Sequence, residues 1–331
     1  MMRSLAALTS FLFLLLVVMG GSVWWIESWL ERPGPLATPT TVVIEQGMGA
    51  QSVAKLLATN KVLDNPYLFA LATLFQNQTG KIRAGEYEFS KNVEPRQILK
   101  KLISGETLVH KLTIPEGLTK AEIVKRVRNE KSLVGVIDVF PEEGWLLPET
   151  YHFSRGDSRN DLIKRMRSAM ERTLSELWQS RSSLLPFDTP EEALIVASII
   201  EKETGQNHER ARVSAVFINR LRIGMPLQSD PTVVYSLTKG KNSLNRKLTH
   251  ADLRNSSKYN TYRHIGLPPG AITNPGKAAI IAALNPDVTD ELYFVADGEG
   301  GHKFARTLIE HNRNVAKFRN KLKKAKDCGA C

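Results

Sequence analysis

Between Ser4 and Ile26 the chain carries no charged residue, and the middle of that stretch reads Phe11-Leu12-Phe13-Leu14-Leu15-Leu16-Val17-Val18. As a helix it spans roughly 34 Å at about 1.5 Å per residue, enough to cross the hydrocarbon core of a bilayer. Gly20, Gly21 and Ser22 resemble a small-residue cleavage site. The apolar run nevertheless continues past them into Val23, Trp24, Trp25 and Ile26, and tryptophans at that depth suit a membrane interface. The expectation is a retained, single-pass anchor over residues 1–27. Arg3 precedes it while Glu27 and Glu31 follow it, a bias that puts the amino terminus inside the cell and the body outside.

The whole chain of 331 residues, 42% hydrophobic and 24% charged, is long enough for two cored domains behind the anchor. The formal net charge of +11 favours polyanionic partners: nucleic acid, anionic lipid headgroups or an acidic wall polymer. A body outside the membrane removes nucleic acid from that set. Much of the excess lies near the end of the chain, from Arg313 to Lys326, and residues 319–331 read as a solvated basic tail. The only cysteines, Cys328 and Cys331, close that tail without a strand and helix to activate a thiol, and no disulfide framework is available. The seven histidines are scattered without ligand spacing, so neither a metal nor a cofactor is expected.

Arg32-Pro33-Gly34-Pro35 and Ala37-Thr38-Pro39 read as an extended linker over 28–40. The body then begins as strand (Thr41 to Glu45), glycine turn (Gly47 to Gly49) and helix through Val53, Leu56 and Leu57. The partial glycine motif lacks its third glycine and is not a nucleotide loop. A helix from Pro66 to Phe75, a strand from Ala84 to Phe89 and a helix from Pro95 to Leu102 complete a small α+β module with LysM-like order. Val109 to Ile114 opens a further segment, Thr119 and Glu122 have capping-box spacing, and Val134 to Phe140 is a strand or an apolar loop. The texture changes near residue 140, where the domain boundary is placed. The expected fold class is therefore α+β: a transmembrane helix, a LysM-like and connecting module over 41–140, and a mixed α/β catalytic domain over 141–318. Ser158 and Asp161 start a helix reaching about Trp178. Thr189, Pro190 and Glu192 give a complete helix start.

The helix begun by Thr189 is apolar on every side, from Ala193 to Ile200, so it should be buried. Glu201 and Glu203 both emerge at its end among apolar neighbours, where low dielectric raises a carboxyl pKa as a general acid near neutral pH requires. Periodicity does not separate the two, and a solvated helix end would accommodate either. Downstream, Gln228-Ser229-Asp230-Pro231-Thr232 and Tyr259-Asn260-Thr261-Tyr262 supply the amides, hydroxyls and aromatic faces that recognise sugars.

The blocks Glu143 to Tyr151, Ala197 to Thr204, Asn219-Arg220-Leu221 with Met225 to Thr232, Tyr259 to Tyr262 through Asn274-Pro275-Gly276, and Tyr293 to Ala296 with Gly301 to Phe304 together resemble the YceG-like family of endolytic murein transglycosylases. The resemblance covers nearly the whole chain in family order; the basic tail and terminal cysteines stand outside it. It implies a lyase that breaks the β-1,4 bond from N-acetylmuramic acid to N-acetylglucosamine within a strand and leaves a 1,6-anhydro sugar. It also assigns the catalytic role to the first glutamate of the Glu201-Lys202-Glu203-Thr204 block. One carboxylate suffices there because the nucleophile is the substrate's own hydroxyl, whereas a hydrolase normally needs a second carboxylate, for which Glu143, Glu149, Glu203 and Asp230 are available. Gln228, Ser229, Asp230, Asn260, Tyr262 and Glu149 are expected to bind substrate. The expected partners are peptidoglycan strands, the membrane and peptidoglycan synthases, with the body in the periplasm of a single-pass inner-membrane protein. The alternative is a non-catalytic, anchored peptidoglycan-binding scaffold.

Overall fold

The computed structural model describes residues 2–328, so Cys331 lies outside the described residues. The chain divides into two compact units, one of residues 1–110 with 152–156 and one of 111–151 with 157–331. The boundary expected near residue 140 thus falls inside the second unit.

The first unit begins with α1 (Met2–Leu30), whose segment Ser10–Leu30 is long and apolar enough to cross a membrane. The last turns of that helix are not free of the rest of the unit. Ile26, Trp29 and Leu30 are buried in the unit's own core. The stretch expected as an extended linker over 28–40 is accordingly helical to Leu30, and beyond that it packs on the module. Leu36 is buried, Gly34 N donates to Val93 O, and Leu36 O accepts from Asn92 N. Prolines here set direction without detaching the segment.

The module reads β1 (Thr40–Ile44), α2 (Ala50–Thr59), α3 (Pro66–Phe75), β2 (Gly85–Phe89) and α4 (Pro95–Ser104). β1 and β2 pair antiparallel with Val42 opposite Tyr87 and Ile44 opposite Gly85. Their inward residues alternate as a half-buried strand demands, Val42, Ile44, Tyr87 and Phe89 facing Phe69, Ile98 and Leu102. Asn65 caps α3 by accepting from Tyr67 N and Leu68 N, with Pro66 in the first turn.

β3 (Val109–Thr113) pairs with β4 (Thr150–Ser154) as a second two-stranded ribbon. In the second unit, α5 (Lys120–Asn129) starts from a full capping box made by Thr119 and Glu122. The stretch from Val134 to Phe140 is a loop apart from one bridge, Val134 to Ser158. It is held by Arg159, whose guanidinium donates to the carbonyls of Val127, Glu130 and Gly135. Ser158 caps α6 (Arg159–Trp178), and Thr189 with Glu192 forms a second full capping box on α7 (Pro190–Glu203).

α7 is the axis of this unit. Ala193, Leu194 and Val196 through Ile200 are all buried. They pack among α6, α8 (Arg210–Arg222) and α10 (Lys277–Leu284), with Leu147, Phe187, Leu227 and Ile272 closing the core. α9 (Asp230–Thr238) lies between α8 and α10 in sequence. The hairpin of β5 (Tyr293–Ala296) and β6 (His302–Ala305) pairs Phe294 with Phe304, and α11 (Leu308–Cys328) follows it. The class is α+β, with helices carrying the core and three separate two-stranded ribbons among the described residues.

Candidate active site

Sequestration of α7 brings its last turn, with two glutamates, against three loops. The loop after β3 comes first. Gly117 N donates to Asn274 O, and Asn274 N donates back to Leu118 O. The Asn274 side chain is wholly buried and fully used: its Oδ1 accepts from Leu146 N, and its Nδ2 donates to Leu118 O and to Glu143 Oε1. One amide therefore fixes three chain segments, 117–120, 143–146 and 272–276, relative to each other. Ser198 adds a clamp from α7 itself, its Oγ accepting from Ile272 N at 3.1 Å.

Glu201 meets this frame. Its side chain is only 6% exposed. Oε2 accepts from Gly276 N at 3.0 Å, while Oε1 faces Arg210 Nη2 at 3.7 Å, beyond hydrogen-bond range. The same Nη2 lies 3.6 Å from Glu116 Oε2. Arg210 thus stands between two carboxyl groups without closing on either, and its buried Nε has no partner. Its other arm, Nη1, donates to Asn207. Glu116 gets this close because residue 276 is glycine: a Cβ there would fall 1.7 Å from Glu116 Oε1. Burial raises the Glu201 pKa; the Gly276 N–H lowers it, the Glu116 charge raises it, and Arg210 and Lys202 lower it, with a net rise.

Glu203 sits in a different network. It accepts from Ser229 Oγ at 2.5 Å. Burial, opposed by that hydrogen bond and reinforced by the Asp230 charge, pushes its pKa up to about 7. His302 and Arg220 act in the opposite sense. By pKa alone Glu203 is the more perturbed of the two.

The residues expected to bind substrate divide by exposure. Gln228 and Asp230 are exposed, and Tyr262 is half-buried with its hydroxyl donating to Asp230 Oδ1 at 2.7 Å. Ser229 is buried against Glu203. Asn260 has no exposed surface: its Nδ2 donates to Leu253 O and Asn255 O, and its Oδ1 accepts from Tyr262 N. With every amide group used internally, Asn260 shapes the loop and offers nothing to a sugar. Thr261 plays the same part, accepting from Ser229 N and pairing with Thr232. Glu149 is exposed with its carbonyl accepting from Ile114 N, and it is not hydrogen-bonded to either α7 glutamate. Glu143 is also spoken for, accepting from Lys120 N at 2.6 Å and from Asn274.

A groove of about 700 Å³ opens beside these loops, lined among others by Lys202, Asp230, Pro231, Tyr235, Asn242 and Arg246. Lys202 reaches it from between the two glutamates. Glu116 and Arg210 escaped sequence reasoning, and Gly276 was seen there only as part of a family block, because all three are brought to Glu201 by tertiary packing.

A sequestered carboxyl group at the end of a core helix, facing an arginine shared with a second carboxylate, is an arrangement able to carry acid–base chemistry in an α+β unit. The chain belongs to the YceG-like family, whose model matches residues 42–317. Among its relatives, an endolytic murein transglycosylase of Bacillus subtilis (strain 168) is 33% identical over 340 aligned residues, 91% of each chain. An endolytic murein transglycosylase of Streptococcus pneumoniae serotype 2 (strain D39 / NCTC 7466) is 29% identical over 364 aligned residues, covering 95% of this chain and 65% of the relative. The 2.6 Å crystal structure of a YceG-like protein from Listeria monocytogenes superposes with a TM-score of 0.51 at 33% identity, covering 84% of this chain and 99% of that one.

Proposed function

We propose that this chain is an anchored endolytic transglycosylase, a lyase that cuts the β-1,4 bond from N-acetylmuramic acid to N-acetylglucosamine inside peptidoglycan strands and leaves 1,6-anhydro ends. The observation that carries the reading is the asymmetry of Glu201: one oxygen is held by Gly276 N–H and the other is left without a hydrogen bond, in a family with relatives named for this activity. Protonated Glu201 gives its proton to the glycosidic oxygen as the C1–O bond breaks. The resulting carboxylate takes the proton of the muramic C6 hydroxyl as that oxygen bonds to C1. Glu201 ends protonated, and no water is consumed. Arg210 lies where it can meet the transient carboxylate. Asp230 meets the strand from the wall of the groove, Gln228 and Tyr262 from the loops beside it, and Ser229 and Asn260 support those loops from behind. The first unit holds the glycan as a LysM-like module, and the cut ends nascent strand growth outside the inner membrane, beside the synthases.

Mass analysis of strands treated with the full chain in detergent is the test. Anhydro-ended fragments of internal cuts are expected; reducing ends bearing the mass of added water would sink the lyase reading.

The carboxyl arrangement also predicts a pH dependence. The reaction starts from protonated Glu201, so activity falls as pH rises through its pKa. Glu116→Gln removes a negative charge that raises that pKa, so the alkaline limb of the kcat/KM profile moves to lower pH. A Glu116→Gln profile lowered uniformly, with an unmoved limb, would show that Glu116 serves only packing.

A further inference from the structure

Helix α3 (Pro66–Phe75) has the sequence PYLFALATLF, without one charged residue. Such a helix is ordinarily buried on all sides. Here only one face is: Phe69, Ala72 and Thr73 enter the core of the first unit. The opposite face carries Tyr67, Leu71, Leu74 and Phe75 at positions i, i+4, i+7 and i+8, a single stripe. Their exposures are 70%, 39%, 63% and 67%. A contiguous apolar stripe of this kind marks an interaction surface.

The place of the stripe identifies what covers it. Phe75 and Ala72 line one small cavity together with Val23, Ile26 and Glu27 of α1. That is the turn of α1 that carries Trp24 and Trp25, themselves 73% and 48% exposed. Just before it, Phe11 through Met19 are bare to a similar degree along the candidate spanning segment, as suits a lipid-facing helix. Glu27, the carboxylate beside that cavity, is paired with Arg96.

We propose that α3 is a second membrane contact, lying with its Tyr67–Leu71–Leu74–Phe75 face in the interfacial layer of the bilayer that α1 spans. The first unit then rests on the lipid surface by an embedded helix as well as a transmembrane one. The bilayer is favoured over a second copy of the chain because the stripe is continuous with the lipid-facing flank of α1.

The test uses the full chain with Cys328→Ser and Cys331→Ser, carrying Leu74→Cys or, on the exposed face of α2, Lys55→Cys. Each cysteine is labelled with an environment-sensitive fluorophore, and the protein is reconstituted in phosphatidylcholine/phosphatidylglycerol vesicles. The label at 74 is expected to emit blue-shifted from the label at 55. A nitroxide placed shallowly on the lipid chains should quench it several-fold more strongly. Water-like emission at 74 overturns the proposal. So does a blue shift that lipid nitroxide leaves unquenched and that grows with protein density, which would mark a second copy as the occupant. If the chain is released from vesicles by carbonate, the spanning role of α1 falls and the proposal falls with it, whatever the enzymatic activity.

Discussion

Glu201→Gln lowers kcat on peptidoglycan strands by about 10²–10⁴-fold, the range for loss of a positioned general acid, with KM and thermal unfolding nearly unchanged. The glutamine keeps the side chain's shape, and its oxygen still accepts from Gly276 N, so the local fold persists. What disappears is a transferable proton on the oxygen facing Arg210. Glu203→Gln is the decisive comparison, because Glu203 has the larger pKa rise. Its Oε1 accepts from Ser229 Oγ at 2.5 Å inside a network that shapes the Gln228–Thr232 loop. That substitution should therefore raise KM and loosen the loop more than it lowers kcat. Retention of full turnover by Glu201→Gln, or its abolition by Glu203→Gln alone, would reverse the assignment.

Arg220→Met is the other large effect, and it acts on stability. Arg220 is 7% exposed, and its guanidinium donates to Leu292 O at 2.7 Å, Leu227 O at 2.8 Å and Pro226 O at 3.3 Å while covering the Tyr293 ring. Three segments thus share one donor group: α8, the approach to Ser229, and β5. Methionine fills similar space but leaves those carbonyls without a donor, each worth about 1–3 kcal/mol when buried. Relief from burying a charge offsets part of that, leaving a loss of about 3 kcal/mol. With two units present, a single melting temperature is a poor measure. Amide hydrogen exchange is the better one, with faster opening expected at Leu292 and Gln228, whose amides donate to Ala305 O and Thr261 O. Unchanged protection there would show that the clamp carries no stability.

Local signals in the sequence translated directly into structure. Thr119, Ser158 and Thr189 each cap the helix they announce, and α3 runs from Pro66 to Phe75 as its proline and apolar run imply. These are short-range rules, satisfied within a turn or two. The site was less legible because it is made by distant segments. Glu116 is far from Glu201 in sequence and Arg210 opens the following helix, and no periodicity relates them; they meet because Asn274 ties its loop to Leu118 and Gly276 leaves room for a carboxyl group. Polarity also misled in places. Asn260 and Ser229 look like sugar ligands by type, yet a buried polar group must satisfy itself within the protein, and both do. The segment over 28–40 has linker composition, but Leu36 gives it a reason to stay down.

The continuity of α1 into the core beneath it has a mechanical consequence. With Ile26, Trp29 and Leu30 seated among the module's own apolar side chains, the first unit stands on a stiff post rather than swinging on a leash. A leash of residues samples a volume that widens with its length, and reach is then a matter of chain statistics. A post permits one stand-off from the bilayer, adjustable only by tilt of the helix or thickness of the lipid. Lengthening α1 by whole turns would consequently raise the unit in steps, whereas a glycine-serine insertion after Leu30 would lift nothing and only unseat Leu36.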